Sequence, residues 1–154
     1  MAGGRAARAD EVIGAFFAEH AAHTVGRRLE RLRRVEEDLR MFFEEHAELV
    51  LDDPELALLA LERQFEHEGA AARVAEAEAL LLLLPLFLEE SQWQGLDHAD
   101  RRIRLELAEP LAHDIARLPE LRDQDIGAAV WIVESTVRHA VWMLRQEREA
   151  TRPR

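Results

Sequence analysis

Seven histidines, two serines and several adjacent acid pairs are the residues in this chain that could do chemistry. His20 and His23 stand three apart, a spacing that would bring two imidazoles to one side of a helix and toward one ion. A third ligand would have to come from His46, His67, His98, His113 or His139, each in a different stretch. Helical carboxylate metal sites use Glu-x-x-His on facing helices, and no histidine here has a glutamate three residues before it. The histidines therefore read as surface or half-buried side chains, and neither metal nor cofactor is expected. Ser91 and Ser135 lack the Gly-x-Ser-x-Gly turn that exposes a nucleophile, and there is no glycine-rich phosphate loop. Glu44–Glu45, Asp52–Asp53 and Glu89–Glu90 are sequence neighbours, which point to different sides of a helix and serve as solvated charge. With no cysteine, thiolate chemistry and disulfides are excluded. No catalytic residue is assigned, and a non-enzymatic role is expected.

The elements that must position any binding site are helical. The chain has 154 residues, 48% hydrophobic and 33% charged, which suits one globular domain rather than a disordered segment. Seven Gly and five Pro punctuate stretches in which apolar residues recur every three or four positions, and no alternating β-type run is visible. The expectation is an all-α antiparallel bundle of about six helices over residues 10–149. Residues 1–9 read as a disordered start and 150–154 as a tail, with fraying from about Arg145. Asp10 is the expected cap of the first helix, with a break near Gly26. Asp53-Pro54-Glu55 restarts the chain, with Asp53 the expected cap and Pro54 at the first helical position, and leads to a helix through Phe65. A helix from about Ala71 to Glu90 carries the Leu80–Leu84 block and a kink at Pro85. Asp97 caps a helix that Pro110 should bend or interrupt, and Asp125 opens the last helix.

Lys, Asn and Tyr are all absent, a bias shared by GC-rich bacterial coding and by computer-generated helical sequences. The net charge of −11 is uneven: residues 1–34 hold seven Arg against four acids, and the remainder thirteen Arg against twenty-seven acids. An acidic body is repelled by phosphate, so direct nucleic-acid binding is not expected. The most apolar run, Ala79 to Leu88, is about half the ~20 residues a membrane span needs, and no signal peptide opens the chain. A cytoplasmic protein without membrane contact is expected.

Three stretches carry a family likeness: Asp10–His20, then Arg31–Val50 ending Phe42-Phe43-Glu44-Glu45-His46-Ala47-Glu48-Leu49, and the closing Asp125–His139. In order and texture they resemble the regulatory domain of the TetR family of bacterial transcriptional regulators. The resemblance covers residues 10–145 and implies a helical cage for a small molecule and pairing through the last two helices. Nine residues precede the helix at Asp10, too few for that family's helix-turn-helix head, so the chain reads as lacking one.

Two sets of candidate residues follow. Pockets are lined mostly by apolar groups with a few polar ones, and the Leu80–Leu84 block with Phe87 could wall an apolar ligand cage or simply form the core helix. Gln64, His67, Leu82, Phe87, Trp93 and His113 are the expected ligand contacts. In the last helix Ile126, Val130, Val133, Val137, Val141 and Leu144 form one apolar stripe, while the clearly polar strip is only Glu134, Arg138 and Arg145. Trp131, Ile132, Ser135, His139, Trp142 and Met143 are left needing cover, which predicts a homodimer through this helix. The alternative is a helical interaction module with no small-molecule site.

Overall fold

The computed structural model describes residues 5–122 and 124–153, and seven α-helices are found among them. They are α1 (Ala9–Ala22), α2 (Gly26–His46), α3 (Asp53–Phe65), α4 (Ala70–Val74), α5 (Ala77–Phe87), α6 (His98–Ala116) and α7 (Gly127–Ala150). Short 3-10 turns lie at Ala47–Leu49, Glu90–Gln92 and Pro119–Leu121. The fold is the all-α bundle that the periodicity predicts.

α5 explains the architecture. Ala77, Ala79, Leu80, Leu81, Leu83, Leu84 and Phe87 are all buried, because α1, α2, α6 and α7 each pack against this helix. Removing a leucine side chain from water is worth about 1.5–3 kcal/mol, so a segment apolar on nearly every side must sit at the centre. Leu82 is the exception and faces outward. No helix among the described residues is long and apolar enough to cross a membrane.

Several helix boundaries differ from the sequence-based expectation. α1 begins at Ala9 with Arg8 as its N-cap, and Asp10 lies in its first turn, where it accepts a 2.6 Å bond from Arg40 of α2. The Arg8 end is fixed by a short backbone pairing: the Ala9 N–H donates to Ala75 O (2.9 Å) and the Ala77 N–H to Ala7 O (3.1 Å). That pairing gives Ala7–Ala9 a defined path where a disordered start is predicted; residues 1–4 lie outside the described residues. It also splits the expected helix from Ala71 to Glu90, since the Ala75 carbonyl and the Ala77 N–H pair with the N-terminal segment. The cap of α3 is Asp52 rather than Asp53: its side chain accepts from the Glu55 N–H at 2.8 Å while Glu55 reaches back to the Asp52 N–H. α6 runs through Pro110, and α7 starts at Gly127 and stays helical to Ala150, past the predicted fraying point. Gly26 opens α2 at φ +67°, a left-handed conformation that explains why the α1–α2 break falls there.

α6 is held to α2 by a charged cluster. Arg104 is only 3% exposed. Its Nη2 donates to Asp38 Oδ2 at 2.8 Å, and its Nη1 donates to the carbonyls of Gln92 (3.1 Å) and Phe87 (3.4 Å). The guanidinium stacks 4.1 Å from the Phe87 ring centroid. One side chain therefore pairs α6 with α2 and satisfies carbonyls at and beyond the C-terminus of α5. Burial pushes the Arg104 pKa down, and Asp38 opposes the shift. One turn earlier, Asp100 receives Arg31 at 2.6 Å and Arg34 at 3.2 Å. Asp97 caps α6 through the Asp100 N–H at 2.8 Å. That bond, then Arg31, holds the Asp97 carboxyl below its ordinary range.

Two outcomes follow. Arg104→Ala should cost about 2–3 kcal/mol, because it orphans the buried Phe87 carbonyl and the partly buried Gln92 carbonyl and strips Asp38 of its partner; thermal unfolding measures it, and Arg104→Lys should not restore the loss, lacking the planar fork. Asp97 has a depressed folded-state pKa, so its stabilisation is present at neutral pH and fades as pH falls through the carboxylate range, around pH 4 and below. The stability gap between wild type and Asp97→Ala should therefore close on acidification, as denaturant titrations at neutral and acidic pH would show.

Candidate functional site

α7 carries the most distinctive surface. Val133, Val137, Ala140 and Leu144 are buried on its inner side, packed on α5 and α6. Two contacts set its rotation: His113 of α6 lies 3.2 Å from Glu134, and Arg101 pairs with Glu147 at 3.3 Å. With the helix fixed by its valines and these ties, the opposite side points to solvent. Trp131 is 62% exposed and Trp142 57%, with Ile132 and His139 exposed and Ser135 and Met143 half-buried. All six residues that the sequence assigns to an interface thus lie on the same helix, on its outer side and flank.

Local bonds order this face. The imidazole of His139 stacks on the Trp142 ring with centroids 6.1 Å apart and planes at 23°. Arg138 Nη2 donates to Ser135 Oγ at 3.2 Å, and Thr136 Oγ1 donates to Ile132 O at 2.7 Å. Ile132, Ser135, His139 and Trp142 recur at spacings of three, four and three, the seam along which helices pair. Beside the stripe an open groove of about 570 Å³ runs between α6 and α7. Its apolar lining includes Leu105, Val137, Val141 and Leu144, with charged residues of both signs around it.

The six ligand candidates are not brought together. Gln64 and His67 are exposed at and just beyond the end of α3, and Leu82 is exposed on α5. Phe87 is buried beneath Arg104 and tilts against Phe42 at 5.4 Å. Trp93 is buried with its indole N–H unpartnered, and Arg101 lies 5.5 Å over its ring. His113 is occupied by Glu134. Two grooves contain members of the set: His67 lines one of about 560 Å³ between α2 and the Gly69 corner, and Phe87 lines one of about 220 Å³ beside Asp38, Gln92 and Arg104.

Two of the histidines weighed as metal ligands, His20 and His46, make contacts within their own helices. His20 Nδ1 lies 2.9 Å from Phe16 O and His46 Nδ1 lies 2.9 Å from Phe42 O. A carbonyl only accepts, so each Nδ1 carries the proton. Each ring also rests on the phenylalanine four residues back, at 4.2 Å and 4.1 Å. Both histidines thus close the last turns of their helices. Among the described residues no group of three potential ligands is placed to hold a metal ion.

Sequence reasoning passed over two features. Arg104 looks like any other arginine of an Arg-rich helix, and only the tertiary structure reveals its burial. The apolar residues Leu58, Leu61 and Phe65 on α3 are exposed, although their spacing was readable in the chain. Comparison of the chain with family models, with curated proteins and with solved structures finds no match.

Proposed function

We propose that this chain is a non-enzymatic helical pairing domain that homodimerises through the outer face of α7, of the regulatory kind that its helix order resembles. The observation that carries the reading is the pair Trp131 and Trp142, both more than half exposed on one side of a helix whose other side is already buried. Contiguous exposed apolar surface marks contact sites, and tryptophan is enriched among the residues that anchor them. Between Gly127 and Leu144 the charged residues are Glu134, which is engaged with His113, and Arg138. Depletion of charge is what the core of an interface requires. Two copies related by a twofold axis would lay stripe against stripe and bury each tryptophan on its mate.

A small-molecule role has weaker support. Leu80, Leu81, Leu83 and Leu84 are at most 1% exposed, so the segment expected to wall a cage is filled with its neighbours' side chains. The groove beside Phe87 and Arg104, at about 220 Å³, is smaller than the ~300–1,000 Å³ typical of ligand pockets, and the grooves of about 560 and 570 Å³ hold just one of the six expected contacts, His67. The geometry favours interaction over sequestration of an effector.

Sedimentation equilibrium with circular dichroism tests the pairing. The wild-type chain should sediment as a dimer at micromolar concentration. Trp131→Glu should keep its helicity and raise the dissociation constant roughly 30-fold or more, the effect of removing a central anchor. Val133→Glu buries an unpaired carboxylate and should cost about 4 kcal/mol or more, unfolding the domain instead. A wild-type chain that remains monomeric at high micromolar concentration would contradict the proposal.

A further inference from the structure

A second apolar face lies on α3, away from the pairing surface. α3 packs chiefly on α4, with Leu59 buried, whereas α7 packs on α5 and α6. On its outward side Pro54, Ala57, Leu58, Leu61, Gln64 and Phe65 are all exposed and none is charged. Pro54, Leu58, Leu61 and Phe65 follow at spacings of four, three and four, which is helix-pairing geometry. Phe65 is 83% exposed, more than either tryptophan of α7.

The ground around this stripe is strongly acidic. Residues 44–73 hold nine carboxylates against two arginines, most of the chain's net −11. Both arginines are engaged within the segment: Arg63 with Glu44 at 3.1 Å and Glu48 at 2.6 Å, Arg73 with Glu62 at 2.8 Å. Glu45, Asp53 and Glu68 make no ion pair among the described residues, and Glu45 and Glu68 face the groove that begins two residues past Phe65. An apolar seam with an acidic border repels nucleic acid and anionic bilayers. Two copies joined α3 to α3 about a twofold axis would set those borders against each other. The complementary surface is a helix with apolar residues at heptad spacing and Lys or Arg beside them.

We propose that the outer face of α3 is the docking site for a basic amphipathic helix of another protein, gripped by Leu58, Leu61 and Phe65 and steered by the surrounding carboxylates. Pairing through α7 leaves this face open, so a dimer presents two such sites.

The test is a fluorescence-anisotropy titration of the full chain with a labelled synthetic helix bearing leucines on one face and arginines on its flanks. The control peptide has glutamates in place of the arginines. The arginine peptide should bind saturably and more weakly as salt rises, and the glutamate peptide should not bind. Phe65→Ser and Leu61→Ser alter exposed side chains, so the fold should persist by circular dichroism while affinity falls about tenfold, the loss expected of a contact anchor. The double substitution Asp53→Asn with Glu68→Gln should weaken binding and flatten its salt dependence. Trp131→Glu, which addresses the α7 reading alone, should leave peptide affinity unchanged. Absence of binding, equal binding of the two peptides, or binding that survives Phe65→Ser but is lost in Trp131→Glu would overturn the proposal. Wild-type assembly beyond a dimer that Phe65→Ser abolishes would overturn it too, by making a second copy the occupant.

Discussion

A helix that is apolar on nearly every side can exist in water only if other helices enclose it, and α5 imposes that condition on the whole chain. Four helices pack around it, and the polar ends of α5 must be satisfied inside the same shell. Arg104 solves part of that problem from α6, since it reaches the Phe87 and Gln92 carbonyls while pairing with Asp38 of α2. A lone buried guanidinium would be costly. Here its planar fork divides between a carboxylate and two carbonyls, and its face rests on an aromatic ring, so the cation is compensated on several sides. The N-terminal pairing at Ala75–Ala77 closes the other end of α5 by supplying backbone partners where α4 stops.

Enclosing α5 decides what is left for the surface. α7 commits its valine side to the core, and the remaining side keeps two tryptophans and an isoleucine with few charges. α3 touches the bundle mainly through α4 and turns an uncharged stripe outward. In a chain that is one-third charged, two helix faces with so little charge are exceptions with a cost, because exposed apolar surface favours association. Their surroundings differ in charge, acidic around α3 and nearly neutral along α7, which favours different occupants. The two faces proposed as contact surfaces are thus what the enclosure of α5 leaves over.

Much of this was legible in the chain. Period-three-and-four apolar spacing yields the helices, Asp97 its cap, and the all-round leucine block its central position. The outward placement of Trp131 and Trp142 follows from 100° geometry once Val133 and Val137 face inward. What escaped has physical reasons. The α4–α5 break carries no glycine or proline, because a distant backbone segment makes it. Asp52 outcompetes Asp53 as a cap because it lets Glu55 return the bond. Arg104 is chemically identical to the exposed Arg102 beside it, and only three-dimensional packing distinguishes it. The dispersed ligand candidates share a polarity signal but not a place, since adjacency to greasy segments does not imply a common cavity.

The central claim is that the outer face of α7 is covered in solution, and tryptophan accessibility measures this directly. Trp93 is buried in the single chain, whereas Trp131 and Trp142 are exposed. Acrylamide quenching at micromolar protein concentration should find all three indoles protected, with two of them becoming accessible on dilution as the pair dissociates. Two freely quenched tryptophans at every concentration would contradict it.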